Sequence, residues 1–281
     1  MFARFDHLTL AVDALDLAVS SYTNLLGRGP RWRGTHGSLG AESAIFGLQN
    51  ALIELTAPIP ECLEGEGLRQ HLAARGEGPI ALALGTDDAQ TCHTRLRERG
   101  LRAAPPAEDE ACAEGGASRV YRAVEISPRM TRSLPVLAVE RSDTDRLRDA
   151  ASFAPSMVHA LDHVVIRTSD LDAARTLYGE RLGLRCALDT RIGSVGMLFF
   201  RIGGVTVEVV QDAACGDADS FYGAAYRVQD LDACHRRLSA AGHALSEVRD
   251  GRKPGTRVFT LRSGHHGMPS LFLSDPARAP R

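Results

Sequence analysis

Leu161-Asp162-His163-Val164-Val165-Ile166, running into Thr168-Ser169-Asp170-Leu171-Asp172, is the stretch that decides the fold. A short β-branched run carrying a histidine ends at residues suited to opening a helix. The chain has already made the same move near its start, where Phe5-Asp6-His7-Leu8-Thr9-Leu10 leads into Asp13-Ala14-Leu15-Asp16. Laid over each other 156 residues apart, the two copies also match at Leu15/Leu171, Ala18/Ala174, Tyr22/Tyr178, Leu26/Leu182 and Gly27/Gly183. A repeat at fixed offset marks a repeated folding unit.

Each copy continues alike. In the first, alternation puts His7, Thr9 and Ala11 on one strand face and Leu8, Leu10 and Val12 on the other. Asp13 or Asp16 is placed to cap a helix whose apolar stripe runs to Leu26, and Gly27-Arg28-Gly29-Pro30 stops it. Strands follow over 31–34, 43–48 and 51–56, the last two joined by a hairpin at Gln49-Asn50. The third module repeats this from Leu161, with strands near 185–189, 196–201 and 205–211 and a Gly203-Gly204 turn. Modules opening at Pro79 and Phe221 match each other at Asp88/Asp230, Cys92/Cys234, His93/His235, Leu96/Leu238 and Gly100/Gly242. Residues 104–118, rich in Pro, Gly and acid, read as a loop.

The expected fold is therefore α+β: four β-α-β-β-β modules forming two cup-shaped, curved mixed sheets with helices outside. The expected N-terminal domain covers 1–141 (modules 4–57 and 79–141), followed by a linker over 142–158. The C-terminal domain covers 159–275 (modules 161–211 and 221–275), and 276–281 form a flexible tail. A lone module would leave one sheet face bare, so modules must pair.

Composition excludes several functions. With 281 residues, 44% apolar, the chain can bury two ordinary cores. A formal charge of -2 gives no general attraction to nucleic acid or anionic membrane. Six cysteines without Cys-x-x-Cys spacing read as free thiols of a reducing compartment. No signal-peptide or membrane-spanning run is evident, so a cytoplasmic protein is expected. Expected partners are a small-molecule ligand and at most a second copy of the chain.

The Asp-His strand, the Asp-Leu-Asp helix start ending at Leu-Gly, and a closing strand with a central glutamate (Leu52-Ile53-Glu54-Leu55; Thr206-Val207-Glu208-Val209) carry a resemblance. The chain resembles the glyoxalase, bleomycin-resistance and extradiol-dioxygenase superfamily, also called the vicinal oxygen chelate superfamily. Its first half is most similar to the glyoxalase-like domain subgroup. The resemblance implies a cup formed by two modules, with ligands on the first and last strands of each pointing inward. It implies a divalent metal ion of unnamed identity, or none, since the superfamily includes isomerases, epimerases, dioxygenases and metal-free binding proteins; fold alone does not choose among them.

On that expectation His163 and Glu208 are the catalytic and metal-binding pair of the C-terminal cup, and His7 and Glu54 a weaker metal pair in the N-terminal one. The matching positions of modules two and four hold Ala81, Ala138-Val139, Gly223 and Leu271, so each cup lacks ligands. Three accounts stay open. Glu140, His265 or His266 supplies a further ligand; or modules one and three pair, gathering both His/Glu pairs; or no metal binds and each pair is hydrogen-bonded. Arg257, with Arg252 and Lys253 in a cationic loop, is expected to clamp an anionic substrate, with Tyr226, Met197 and Phe199 on the cup wall. The functional expectation is binding of a small anionic or oxygen-rich metabolite in the C-terminal cup, with metal-dependent lyase or isomerase chemistry. The alternatives are a metal-free binding or sequestration protein and an extradiol-type dioxygenase, the last disfavoured because one cup shows only one histidine.

Overall fold

The computed structural model describes residues 1–116, 118–148, 153–262 and 265–274. The expected tail at 276–281 and part of the linker, 149–152, lie outside the described residues. Module one consists of β1 (Arg4–Ala11), α1 (Leu15–Leu26), β2 (Trp32–His36), β3 (Ala41–Gly47) and β4 (Leu52–Pro58). After α2 (Glu66–Arg75), module two runs β5 (Gly78–Gly85), α3 (Ala89–Glu98), β6 (Ala107–Ala113), β7 (Ser118–Ile126) and β8 (Val136–Glu140). The short α4 (Thr144–Leu147) leads to module three: β9 (Val158–Thr168), α5 (Leu171–Ala174) continuing as a π-helical stretch to Arg181, then β10 (Arg185–Ile192), β11 (Val195–Ile202) and β12 (Val205–Gln211). Module four adds β13 (Ser220–Val228), α6 (Leu231–Ala240), β14 (Arg249–Asp250), β15 (Arg257–Thr260) and β16 (Ser270–Ser274).

The strands pair within each half. The N-terminal eight close into a barrel in the order β1-β4-β3-β2-β6-β7-β8-β5, with β1 antiparallel to β5 as β9 is to β13 in the other half, and sealed where β2 meets β6. The C-terminal eight form an open sheet, β10-β11-β12-β9-β13-β16-β15-β14. Module one thus pairs with two and three with four, so the account in which modules one and three assemble a joint site is overturned.

The different closure has a local cause. Residues 107–113, read as loop, form β6, which bonds to β7 on one side and to β2 on the other. Only Ala111 of this strand is buried, so the period-2 signal is nearly silent. Gly34 of β2 lets β6 approach, because a Cβ there would collide with the Cys112 carbonyl. The counterpart in module four, β14, has two residues and bonds only to β15, which leaves the second sheet open.

Helix boundaries follow sequence chemistry, with one exception. Asp88, Asp170 and Asp230 each accept hydrogen bonds from backbone N–H groups of the first turns of α3, α5 and α6. Helix α1 instead starts at Ala14 with no side-chain cap, and Asp16 pairs with Arg33 at 2.6 Å. Gly27 ends α1 in the left-handed conformation, φ 80°. Leu8, Leu10, Tyr22 and Phe46 of one half and Val164, Tyr178, Phe200 and Tyr226 of the other belong to one continuous apolar core. The opposite face of the N-terminal strands lines the interior of the barrel. Among the described residues, no helix is long and apolar enough to cross a membrane.

Candidate functional site

The barrel encloses a cavity of ≈ 1330 Å³ whose floor carries His7, Thr9, His36 and Glu54. Alternation along β1 turns His7 and Thr9 inward and leaves Leu8 and Leu10 in the core. Parallel pairing of β1 with β4 then brings Glu54 beside them, and β2 contributes His36 from across the barrel.

Glu54 lies between two imidazoles, its Oε2 3.3 Å from His7 Nε2 and its Oε1 3.4 Å from His36 Nε2. Both rings are held from behind. Asp6 Oδ1 stands 2.7 Å from His7 Nδ1. Burial opposes ionisation of Asp6, but the Arg141 charge and the His7 contact outweigh it and hold the carboxyl below its ordinary range. An ionised carboxylate only accepts, so the Nδ1 proton is on His7. Tyr121 donates its hydroxyl proton to Asp109 Oδ2 at 2.6 Å, so its oxygen is free to accept from His36 Nδ1 at 3.4 Å.

Each imidazole, when neutral, therefore turns an Nε2 lone pair toward Glu54. Burial would raise the Glu54 pKa, yet His36, His7 and Arg141 reverse this and pull it down to about 2. Although His36 Nε2 is within ion-pair distance, it is buried without an aligned hydrogen-bond partner. Asp6, Glu54 and Asp109 set three negative charges against the guanidinium groups of Arg141 and Arg4, the latter shared with Asp87. Positive charge on the rings, or a bound cation, offsets the remainder.

The C-terminal counterpart is looser. Glu208 Oε2 is 3.6 Å from His163 Nε2, and Asp162 Oδ2 is 3.3 Å from His163 Nδ1. Asp162 is drawn down to about 2: burial opposes this, but His163 and Arg227, which donates from Nε and Nη2 to the one oxygen Oδ1, prevail. Burial raises the Glu208 pKa, and the opposing pull of His163 and Arg252 does not cancel it. Phe199 lies directly across from Glu208 in the β11–β12 ladder, and Met197 is two residues along, so both share the concave face with the pair.

Other expected site residues lie elsewhere. Arg257 is exposed and forks onto Asp232 of α6, at 2.8 and 3.0 Å, because its side chain leaves β15 on the helix-covered face. Tyr226 is fully buried against Phe272 in the core, one step out of register with the concave residues Ala225 and Arg227. Arg252 and Lys253 are exposed in the β14–β15 loop. Glu140 points away from the barrel interior and accepts from Ala89 N at 2.7 Å at the start of α3. His265 and His266 bind Ser21 and Glu77 of the other half, both at 2.8 Å.

His36 escaped the sequence reading because its strand seemed to end at Gly34. Two more residues of alternation place it on the Trp32–Gly34 face, but the repeat gives no hint: 156 residues on stands Ile192. Arg141 was missed for a related reason, being one residue beyond Glu140 and in phase with the cavity-lining Leu137 and Val139.

The model of the glyoxalase-like domain matches residues 5–149, just over half of the chain. The chain belongs to the glyoxalase-like domain family. Residues 160–278 match the glyoxalase/bleomycin resistance protein/dioxygenase superfamily, so both halves are domains of one superfamily. A mutant of 4-hydroxymandelate synthase from Streptomyces coelicolor superposes with TM-score 0.72 at 15% identity, covering 99% of this chain and 94% of that one. A hypothetical protein from Staphylococcus aureus gives 0.66 at 11% identity, with 98% and 100% covered. A xylose isomerase-like TIM barrel/4-hydroxyphenylpyruvate dioxygenase fusion protein gives 0.61 at 16%, matching all of this chain and 50% of that one. At these identities the likeness is one of fold. No curated protein sequence matches the chain.

The donor set fits a divalent ion in kind: two Nε2 atoms with their Nδ1 positions engaged, and one carboxylate. It does not yet fit in arrangement. Among the described residues no three His, Cys, Asp or Glu side chains converge as metal ligands do, because Glu54 sits between the rings.

Proposed function

We propose that the barrel of this glyoxalase-like protein binds a small, oxygen-rich organic molecule and moves a proton on it, as a lyase or isomerase does. The observation that supports this is the pair of imidazoles whose Nε2 atoms face one ionised carboxylate at the cavity floor. A carboxylate with a pKa near 2 is a poor proton acceptor. Glu54 therefore serves as an electrostatic anchor for the ring that carries positive charge, and Nε2 of His7 or His36 passes the proton to and from the substrate. Asp6 stabilises the resulting imidazolium on His7, and the Tyr121–Asp109 pair does so on His36. Thr9, 3.5 Å from Glu54 Oε2, holds that carboxylate in place. A divalent ion would require Glu54 to turn from between the rings before His7, His36 and Glu54 could hold it, and would then supply Lewis-acid polarisation of substrate oxygens.

The presence of two histidines and a carboxylate in one cup also removes the objection raised against dioxygenase chemistry, and that reading stands second. A metal-free binding protein is the remaining alternative, in which Glu54 stays between the His7 and His36 rings as their buried partner. The weaker His163–Glu208 array is the corresponding candidate in the C-terminal cup.

Metal analysis of protein purified without chelator separates these readings. Stoichiometric metal that disappears in His36→Ala but persists in His163→Ala supports the barrel site. Loss only in His163→Ala transfers the site to the C-terminal cup. Metal absent from the wild type sinks the metal-assisted reading.

A further inference from the structure

Above the imidazole floor, Arg75, Arg119, Arg141 and Arg167 line the cavity, and two of them, Arg119 and Arg141, carry buried donors without hydrogen-bond partners. Alternation along β7 turns Arg119 and Tyr121 into the cavity, and the phase of β8 brings in Arg141 after Leu137 and Val139. The Arg141 side chain is only 3% exposed. Its Nη2 lies 3.3 Å from Asp6 Oδ1 and its guanidinium 5.5 Å from the Tyr121 ring centre. Nε and Nη1 of Arg141 are buried without hydrogen-bond partners. Arg119 is held by Asp143 through Nε at 2.6 Å and lies 4.5 Å over the Trp32 ring, while its Nη1 is buried and unpartnered.

Buried donors left unmet are costly, and each calls for a partner. Asp6 does not meet this need as it stands: its Oδ1 is shared between His7 Nδ1 and Arg141 Nη2, and its Oδ2 is itself buried without a hydrogen-bond partner. The open donor atoms are Nε and Nη1 of Arg141 and Nη1 of Arg119, on two residues that line one cavity. Apolar side chains complete that wall, including Leu68, Ile80, Leu134, Leu137 and Phe221. A guanidinium fork matches the two coplanar oxygens of a carboxylate, and the surrounding walls suit an apolar body.

We propose that Arg141 and Arg119 form a subsite for the carboxylate of a small organic acid, holding it by this end above the His7–Glu54–His36 floor. This names the charged group of the substrate. It rests on the barrel cavity being the binding site, but it requires no metal. Arg141 and Arg119 are binding residues, and Trp32 is the built-in reporter because it is the single tryptophan and Arg119 covers it.

The test uses the full chain stripped of metal and titrated with benzoate, its neutral isostere benzamide, and inorganic phosphate, read by calorimetry and Trp32 fluorescence. The expected result is saturable benzoate binding with a fluorescence change, at least about tenfold tighter than benzamide or phosphate. Arg141→Gln and Arg119→Gln are each expected to weaken benzoate about tenfold or more, with Arg141→Lys intermediate. Circular dichroism checks folding. Should Arg141→Gln fail to fold with Asp6 unpaired, Arg119→Gln together with the benzoate–benzamide ratio decides. Equal binding of benzoate and benzamide, no benzoate binding, or phosphate as the stronger ligand overturns the assignment. So does wild-type affinity in the folded variants. Because these titrations are metal-free, their failure leaves the metal analysis standing, and a negative metal result leaves the carboxylate subsite standing.

Discussion

Glu54 and Glu208 close matching strands of the two halves, yet their surroundings push them in opposite directions. Two imidazoles and Arg141 overcome burial and take Glu54 from 4.5 to about 2, whereas Glu208, with one imidazole and a distant Arg252, is raised by burial. A carboxylate depressed in the folded state stabilises it above the free value, and that stability fades as pH falls toward about 2. A raised one has the reverse effect: its ionisation costs stability at neutral pH. Glu54→Gln is therefore expected to lose on the order of 2 kcal/mol at pH 7. Glu208→Gln is expected to be neutral or mildly stabilising. Urea unfolding of both variants at pH 7 and pH 3 checks this, the Glu54 penalty shrinking at the lower pH. Equal penalties at pH 7 would contradict the electrostatic account. The repeat made both glutamates and both histidines legible as pairs. It could not rank them, because the difference arises from His36 and Arg141, which have no repeated counterparts and reach the site only through barrel closure.

At the scale of elements, β6 separates a closed barrel from an open sheet. The repeated strands, helices and turns were readable because each combines an apolar phase with a stop signal, as Leu26-Gly27 and Leu182-Gly183 do. Strand β6 was not, since Glu108, Asp109 and Glu110 present acid on successive positions and one alanine alone is buried. What makes it a strand is tertiary: β2 and β7 offer ladders on both sides, and Gly34 permits the approach. Ala111 lies opposite His36 in one ladder and Arg119 in the other. Ala111→Pro removes a backbone donor from this central strand, leaving a buried carbonyl unmet at about 1–3 kcal/mol. The expected outcome is a protein that retains its C-terminal sheet but shows red-shifted Trp32 emission and loses benzoate binding. Unchanged emission would mean that closure does not depend on β6.

Over the whole molecule, the halves act as one body because their cores are continuous and their seam is polar and specific. Asn50, at the tip of the β3–β4 hairpin, donates to the Leu161 and Gly204 carbonyls at 2.8 and 3.3 Å and accepts from Leu161 N at 3.0 Å. Arg132 reaches buried Asp219 at 2.8 Å, and Asp219 with Phe221 joins the lining of the N-terminal cavity. The N-terminal cavity is thus rimmed by the half that does not form its floor. At the same seam, His265 sits among Ser21, Tyr22, His243 and His266, the last paired with Glu77. Burial, reinforced by the two neighbouring imidazoles, lowers the His265 pKa from 6.5 to about 4. The unfolded chain then takes up this proton first, so stability is full above about 6.5 and falls as pH drops toward about 4. The loss amounts to at most about 3 kcal/mol. Urea midpoints measured from pH 7 to pH 4 should fall in one cooperative transition, since the shared core couples the halves. In His265→Gln, which keeps a polar partner for Ser21 but takes up no proton, the curve should flatten over that interval. An unaltered pH slope in the variant would place the acid sensitivity elsewhere than at this seam.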